Sequence, residues 1–285
     1  MRFKKAIIPM GRPVHGDLPL QHVTVGDGST RRVAALQIQE LLEAGISQVA
    51  LVTRPGNQRL FSELRDQFGE ALVSIEQREP RGFGDAVLCG EEWVGGEPFI
   101  VQVCDHVFVT NATTSCTKQL VEAATREGCP VSGVQANAEN QLPYFGVVGG
   151  SRVKGAARLY SIQTVIEKPT PTVAEERCMI PGLRQGIYLA LFGTHALSPG
   201  VFQILREQRA ALSPDGRLGL TEALAALASR EKYLALEVDG LRIDLEGPFG
   251  LLRAQLALAL NGPRREEVLR LILEEVAHMP GKPGL

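Results

Sequence analysis

Four short stretches of the chain carry side chains that could act together on a phosphate ester. In Val101-Gln102-Val103-Cys104-Asp105-His106 an acidic residue follows an apolar run of strand type. In an open α/β sheet that position is the carboxyl edge, where ligands bind. Leu241-Arg242-Ile243-Asp244-Leu245-Glu246-Gly247-Pro248 supplies a second acid after a second short apolar stretch. Two carboxylates at strand ends can clamp Mg²⁺ against a polyphosphate, because Mg²⁺ takes one or two carboxylates and fills its shell with phosphate oxygens and water. Each acid also has a plainer use: Asp105 can cap the next turn, and Asp244 the N-terminus of the following helix. In Ile166-Glu167-Lys168-Pro169 a lysine closes an apolar strand, either as a point charge that reaches a phosphate or as a solvated edge-strand residue. The fourth stretch, Gln77-Arg78-Glu79-Pro80-Arg81-Gly82-Phe83-Gly84-Asp85-Ala86, is a strand-to-helix loop with two glycines. Its backbone can approach a base or ribose closely, and Gln77 offers both a donor and an acceptor to a pyrimidine edge; a structural turn is the alternative.

These residues need a scaffold that places strand ends side by side. Ala6–Pro9, Gln48–Thr53, Ala71–Ile75 and Pro98–Val103 are short Val- and Ile-rich runs of the kind buried on both faces of a sheet. Helical patterns fill the intervals at Arg31–Ala44, Gln58–Phe68 and Asp85–Trp93, with Gly45 and Gly95-Gly96 as stop signals. Thr113–Glu127 and the strand Pro130–Gln135 continue the alternation, which implies an α/β fold with a mixed, mostly parallel sheet flanked by helices. Phe145–Val148, Gln163–Ile166 and Gln185–Leu191 read as antiparallel additions. Helices Ser198–Gln208 and Leu218–Ser229, the strand Lys232–Val238 and the helix Pro248–Leu260 complete a domain over residues 1–262. Residues 263–285 form an amphipathic helix, Arg264–Ala277, and a tail of loose composition. The apolar face of that helix can pack on the domain or on a second copy in a homo-oligomer.

Bulk composition narrows the class further. Thirty basic and 32 acidic residues give a net charge of −2, so no field draws in nucleic acid. Mean hydropathy is +0.01, and no apolar run approaches the roughly 18–20 residues of a membrane span. Met1–Pro9 lacks the long apolar stretch of a signal peptide and reads as a first strand, so a cytoplasmic protein is expected. Five cysteines (89, 104, 116, 129 and 178), without a CxxC pair, fit reduced thiols better than disulfides or a zinc site.

Taken in order, the motifs resemble one family. An apolar N-terminal strand ending in Pro9, the Gln77 to Leu88 loop, Cys104-Asp105, Phe145-Gly146-Val147-Val148, Glu167-Lys168-Pro169, Gly186-Ile187-Tyr188, Leu220-Thr221-Glu222-Ala223 and the late Asp244 together resemble the bacterial UTP–glucose-1-phosphate uridylyltransferases and related sugar nucleotidylyltransferases. The resemblance runs from about Lys5 to about Leu260 and implies their Rossmann-like nucleotide-diphospho-sugar transferase fold. It further implies attack of a sugar 1-phosphate on the α-phosphorus of a nucleoside triphosphate. Carried over by position, Asp105 and Asp244 would be the Mg²⁺ ligands, and Gln77, Gly82 and Asp105 would face the nucleotide. Glu167 would hold sugar hydroxyls, Lys168 the sugar phosphate, and Gly146 would offer its backbone near the sugar. Asp105, Lys168 and an arginine of the N-terminal loop would form the catalytic set.

That loop departs from the family pattern of G-x-G-T-R followed by a lysine. Here it reads Pro9-Met10-Gly11-Arg12-Pro13-Val14-His15-Gly16-Asp17-Leu18-Pro19-Leu20, and no lysine occurs between Lys5 and Lys118. Arg12 is the one arginine in place to stand in, and Pro13 removes an amide donor beside it. The turn Gly26–Arg32 offers Arg31 and Arg32 as partial compensation, or as exposed arginines at a capped helix start. Glu246 stands where the family has Gly. Three readings follow: an active Mg²⁺-dependent nucleotidylyltransferase; a catalytically impaired homologue that binds a sugar nucleotide as a regulatory or partner protein; and, more distantly, another sugar-nucleotide user on a similar sheet.

Overall fold

The computed structural model describes residues 1–10, 18–56 and 58–278. Strand β1 (Lys5–Pro9) leads through a hairpin, β2 (His22–Thr24) and β3 (Thr30–Arg32), into helix α1 (Val33–Glu43). The chain then alternates β4 (Gln48–Thr53), α2 (Gln58–Phe68), β5 (Leu72–Glu76), two short helices, α3 (Phe83–Leu88) and α4 (Glu91–Val94), and β6 (Phe99–Gln102). Strands β5, β4, β1 and β6 lie side by side in that order, all parallel. The chain steps outward from β1 to β5 and then crosses to the other edge of β1. The β1–β6 boundary is therefore a topological switch point, with a crevice outside the two strands' carboxyl ends.

The second half widens this sheet. It contains β7 (His106–Val109), α5 (Cys116–Glu127), β8 (Val131–Ala138), β9 (Gly146–Arg152), β10 (Leu159–Glu167), α6 (Pro171–Arg177) and β11 (Ile187–Leu197). After these come α7 (Gly200–Ala211), α8 (Thr221–Arg230), β12 (Leu234–Glu237), β13 (Leu241–Asp244), α9 (Gly250–Leu260) and α10 (Arg265–His278). The nine-stranded order is β5-β4-β1-β6-β11-β8-β12-β10-β9, in which only β10 and β11 run against the rest. Most strands share one direction, as expected, yet four of the eight neighbouring pairs (β6–β11, β11–β8, β12–β10, β10–β9) are antiparallel.

Alternation along the strands explains the two main cores. Ile7, Val52 and Val101 face Phe202, Leu205 and Leu224 of α7 and α8, while Ile8, Leu51 and Ile100 face Ile38, Leu41 and Leu120 of α1 and α5. Both sheet faces are thus covered, which is why the parallel strands carry continuous apolar runs. A third, small cluster has its own logic. Val23, Val33, Val107, Ile243, Leu245 and Ala254 tie the β2–β3 hairpin, a β7–β13 ribbon and α9 together beside the crevice.

Local departures from the sequence expectation have identifiable causes. Arg31 and Arg32 belong to β3, not to the start of α1, because Gly28 (φ 85°) closes a turn that pairs Thr30–Arg32 with His22–Thr24. The single helix expected over Asp85–Trp93 breaks at Cys89-Gly90, where a side chain on Gly90 would collide with Ile7 of β1. Gly45 and Gly95 end their helices at positive φ, as expected. All five cysteines are free, and Cys178 is buried at the end of α6. Among the described residues no helix is long and apolar enough to cross a membrane.

Candidate functional site

Strand register brings the backbones of Asp105 and Asp244 to one end of a two-stranded ribbon. Past the end of β6 the backbone is held on two sides: Val103 N–H donates to the Gly193 carbonyl at 2.9 Å, and the Gln37 carboxamide of α1 donates to the carbonyls of Val103 (3.2 Å) and His106 (2.6 Å). The chain then enters β7, which pairs antiparallel with β13 so that His106 lies opposite Asp244. One step further, Leu245 N–H donates to the Asp105 carbonyl at 2.9 Å. The two acids therefore sit at one end of the ribbon, next to the carboxyl end of β6. His106 Nδ1 lies 3.1 Å from Asp105 Oδ1.

Asp244 does not cap helix α9. Its Oδ1 accepts from the Glu246 backbone N–H at 2.9 Å, closing a tight turn instead, and the N-cap position of α9 belongs to Phe249 at φ 59°. Gly250 is required by the same closure, since a Cβ there would run into the Asp244 carbonyl oxygen. Glu246 is partly exposed in this turn, two residues from Asp244.

The sugar-phosphate candidates cluster on adjacent strand ends. Gly146 and Glu167 are register partners in the β9–β10 pair. Glu167 is exposed, and its Oε2 accepts from the Thr221 hydroxyl at 2.7 Å. Lys168 follows at φ 45°, exposed, with its N–H on the Phe145 carbonyl at 3.2 Å. A left-handed conformation costs a residue with a Cβ about 1–2 kcal/mol, and strain of this sort gathers at functional positions. Only one other described non-glycine residue has positive φ: Phe249, in the turn after Asp244.

Sequence reasoning passed over the residue that lies between these two groups. Arg242 is 5% exposed, its guanidinium sits 3.5 Å from the centre of the Phe145 ring, and it donates to the Leu191 carbonyl. Burial pulls this group down to about 10, while the Asp244 and Asp105 carboxylates act the other way, so it is cationic at neutral pH. A signal was present in Leu-Arg-Ile-Asp: strand alternation puts residues 242 and 244 on one side, and an arginine buried there needs acids nearby.

The Gln77 loop is more self-contained than expected. Gln77 is 3% exposed, and its Nε2 donates to Asp85 Oδ2 (2.7 Å) and to the Gly82 carbonyl (3.2 Å). Gly82 (φ 118°) is required because a Cβ would strike the Leu218 carbonyl, so protein backbone occupies that side of the loop. Gly84 N–H and Leu218 N–H complete the closure, donating to Leu218 (2.9 Å) and Arg81 (2.7 Å) carbonyls. Arg12 lies outside the described residues. Arg31 and Arg32 are engaged locally: Arg31 contacts Asp27 at 3.4 Å and Gln39 at 2.8 Å, and Arg32 contacts Glu63 at 2.6 Å.

A separate cleft of about 380 Å³ lies between α1, α5 and the α9–α10 turn, lined by Glu40, Glu43, Val107, Cys116, Leu258 and Pro263 among others. Neither aspartate nor Lys168 borders it. Burial pushes the Glu40 carboxyl up to about 7, against hydrogen bonds from Thr117 N–H (3.0 Å) and hydroxyl (3.1 Å).

Comparison with known proteins finds a family model and several relatives that the chain resembles. Residues 12–241 match the family model described as nucleotidyl transferase. A UTP–glucose-1-phosphate uridylyltransferase of Streptococcus pneumoniae is 30% identical over 257 residues, covering 82% of this chain and 81% of that protein. The Streptococcus pyogenes enzyme of the same name is 29% identical over 259 residues, covering 82% and 80%. Among solved structures, a UDP-glucose pyrophosphorylase from Acinetobacter baumannii superposes with a TM-score of 0.75 at 23% identity, covering 96% of this chain and all of the other. An apo UDP-glucose pyrophosphorylase gives 0.74 at 23% identity, over 90% and 98% of the two chains.

Proposed function

The chain belongs to the nucleotidyl transferase family, and from that premise we propose that it transfers a nucleotidyl group to a sugar 1-phosphate, with UTP and glucose 1-phosphate as the pair. The observation that carries this reading is the register that brings Asp105 and Asp244 to one ribbon end at the β1–β6 switch point. The relatives named above bear the corresponding activity in their names.

In the reaction a phosphate oxygen of the sugar 1-phosphate attacks the α-phosphorus of the triphosphate. A new P–O bond forms, the bond from the α-phosphorus to the bridging oxygen of the β-phosphate breaks, and pyrophosphate leaves. Such a transfer needs positioning and charge neutralisation more than covalent help. Lys168 meets the sugar phosphate, Glu167 and the Gly146 backbone meet the sugar, and the Gln77–Gly82 loop borders the nucleotide. Asp105 and Asp244 fit a Mg²⁺ that arrives with the phosphates. Among the described residues no group of three or more His, Cys, Asp or Glu forms a self-sufficient metal site, and two carboxylates plus phosphate oxygens are a donor set Mg²⁺ accepts. Bound there, the ion would neutralise charge on the phosphoryl oxygens.

One observation favours a second reading, a homologue that binds a sugar nucleotide without turnover. No lysine occurs between Lys5 and Lys118, and Arg31 and Arg32 are held by neighbouring acids. Pyrophosphate release, assayed over a panel of nucleoside triphosphates and sugar 1-phosphates with and without Mg²⁺, separates the two. The expected result is Mg²⁺-dependent release with UTP and glucose 1-phosphate that drops by at least about 10²-fold in Asp105→Asn. No release with any pair, alongside micromolar UDP-glucose binding, would instead establish the second reading.

A further inference from the structure

The acid ribbon joins the two ends of the second half of the chain, the lysine turn comes from between them, and among the described residues no strand pairing joins β13 to β9 or β10. Something else must hold Asp105 and Asp244 in register with Lys168. The Phe145 ring is the element shared by both groups. On one side the Arg242 guanidinium, two residues before Asp244, lies 3.5 Å from its centre. On another the His106 ring, next to Asp105, lies 6.2 Å away at 46°. Through its backbone, Phe145 precedes Gly146 and accepts the Lys168 N–H.

Arg242 is tied to the sheet as well as to the ring. Its guanidinium donates to the Leu191 carbonyl of β11, and its backbone N–H donates to Gln135 Oε1 of β8 at 3.0 Å. The ribbon is thereby anchored to the central strands at a residue that also stacks on Phe145. A guanidinium desolvated against an aromatic face is attracted to it by the negative potential of the ring face. Lysine would keep the charge but lose the planar fork.

We propose that the Arg242–Phe145 stack is the positioning element that couples the two aspartates to Lys168, so that the metal-binding and sugar-phosphate-binding halves of the site move as one unit. Neither side chain is assigned a substrate contact. The proposal rests on the reading of the site given under Proposed function, and it predicts that disturbing the stack weakens ligand binding at a distance.

A double-mutant cycle tests it. UDP-glucose affinity is measured with Mg²⁺, well below each protein's melting temperature, for the wild type, Arg242→Met, Phe145→Leu, the pair together, and Arg242→Lys. Hydrogen exchange at the Lys168 and Leu245 amides is followed in the same proteins without ligand. Each single substitution is expected to weaken UDP-glucose by roughly tenfold, and the double variant by little more than either. Arg242→Lys recovers part of the loss, and both reporter amides exchange faster in Arg242→Met. Additive losses, or unaltered Lys168 exchange in both single variants, would overturn the coupling. Should Arg242→Met fail to fold, Phe145→Leu alone carries the exchange test. If the wild type binds no sugar nucleotide, the functional reading fails, while the exchange measurement still decides whether the two halves are coupled.

Discussion

On one flank of the β1–β6 crevice, two carboxylates hang from a ribbon that backbone pairing, Gln37 and Arg242 hold from three directions. The cations read as compensation on the triphosphate flank are held differently: Arg31 and Arg32, in the hairpin that packs on the same ribbon, are paired with acids of their own neighbourhood, Arg31 with Asp27 and Arg32 with Glu63. The contrast is one of construction. A pair of acids placed by strand register depends on many hydrogen bonds at once, several of them between backbone groups that every residue type supplies. A triphosphate cradle depends on a few loop residues, and here the lysine expected of that loop is absent from the sequence. On the proposed reading, the acid flank and the triphosphate flank of one site can therefore be retained to different degrees.

The largest break should come from Lys168, the strand-end cation that the proposed site joins to the acid ribbon. Lys168→Met removes a cation at a strained turn while leaving the Lys168 N–H on Phe145 in place. Loss of one preorganised charge contact typically costs about 10²–10³ in rate. The expected result is a fall of that size in pyrophosphate release, and a matching loss of UDP-glucose affinity if the protein binds without turning over. A change below about threefold would mean that Lys168 is only a solvated strand-end residue.

How much of this was legible in the sequence depends on the range of the interaction involved. The Val- and Ile-rich strands, the helices between them, and the glycine stops at Gly45 and Gly95 follow from local pattern and were readable. Asp105 and Asp244 were read as strand-end acids that could share a Mg²⁺, but the ribbon that carries them was not, because β7–β13 joins two four-residue strands more than 130 positions apart. Long separation also hid Arg242, whose significance lies in Phe145 and Leu191, 97 and 51 positions earlier in the chain. Gln77 was read either as facing a base or as part of a structural turn, and its amide hydrogens serve the Asp85–Gly82 loop. The glycine at 82 announced a close approach correctly and left its partner, the Leu218 carbonyl, undetermined.

A smaller effect should come from the scaffold under the acid ribbon. Glu40 of α1 bonds Thr117, whose hydroxyl also reaches Gln102 Oε1 at 3.2 Å, at the end of β6. Its carboxyl is raised from the ordinary value of 4.5 to about 7, burial being the main cause. A raised folded-state value stabilises the protein below the unfolded value, and the contribution is lost as pH climbs through about 7. Glu40→Gln removes this dependence. Relative to the wild type, the variant should gain stability between pH 5 and pH 8 by on the order of 1–3 kcal/mol, read from urea midpoints. Buried His195 titrates on the acid side in both proteins: burial lowers it from 6.5 to about 4, so its contribution is lost as pH falls through that range. Parallel stability profiles for wild type and Glu40→Gln would show that Glu40 is ionised throughout. Pyrophosphate release should not distinguish the two proteins, because Glu40 faces the separate cleft and not the aspartates.

The smallest expected effect tests the weak flank. Arg31 and Asp27 form an exposed pair, 36% and 49% accessible, and Arg32 and Glu63 a half-exposed one, 29% and 30%. Pairs of this kind contribute about 0–1 kcal/mol. If the two arginines only close the β2–β3 hairpin onto α1 and α2, Arg31→Ala and Arg32→Ala should each cost no more than that in stability. UTP affinity should then stay within about twofold, since neither cation contributes to the nucleotide site. If instead either arginine swings from its acid to replace the missing lysine, UTP binding should fall by more than about tenfold, as loss of a charge-assisted phosphate contact requires. The loss should also shrink at high salt, where an exposed cation is screened. That outcome would erase the contrast between the flanks, because the triphosphate side would then have been rebuilt with new residues in place of the old ones.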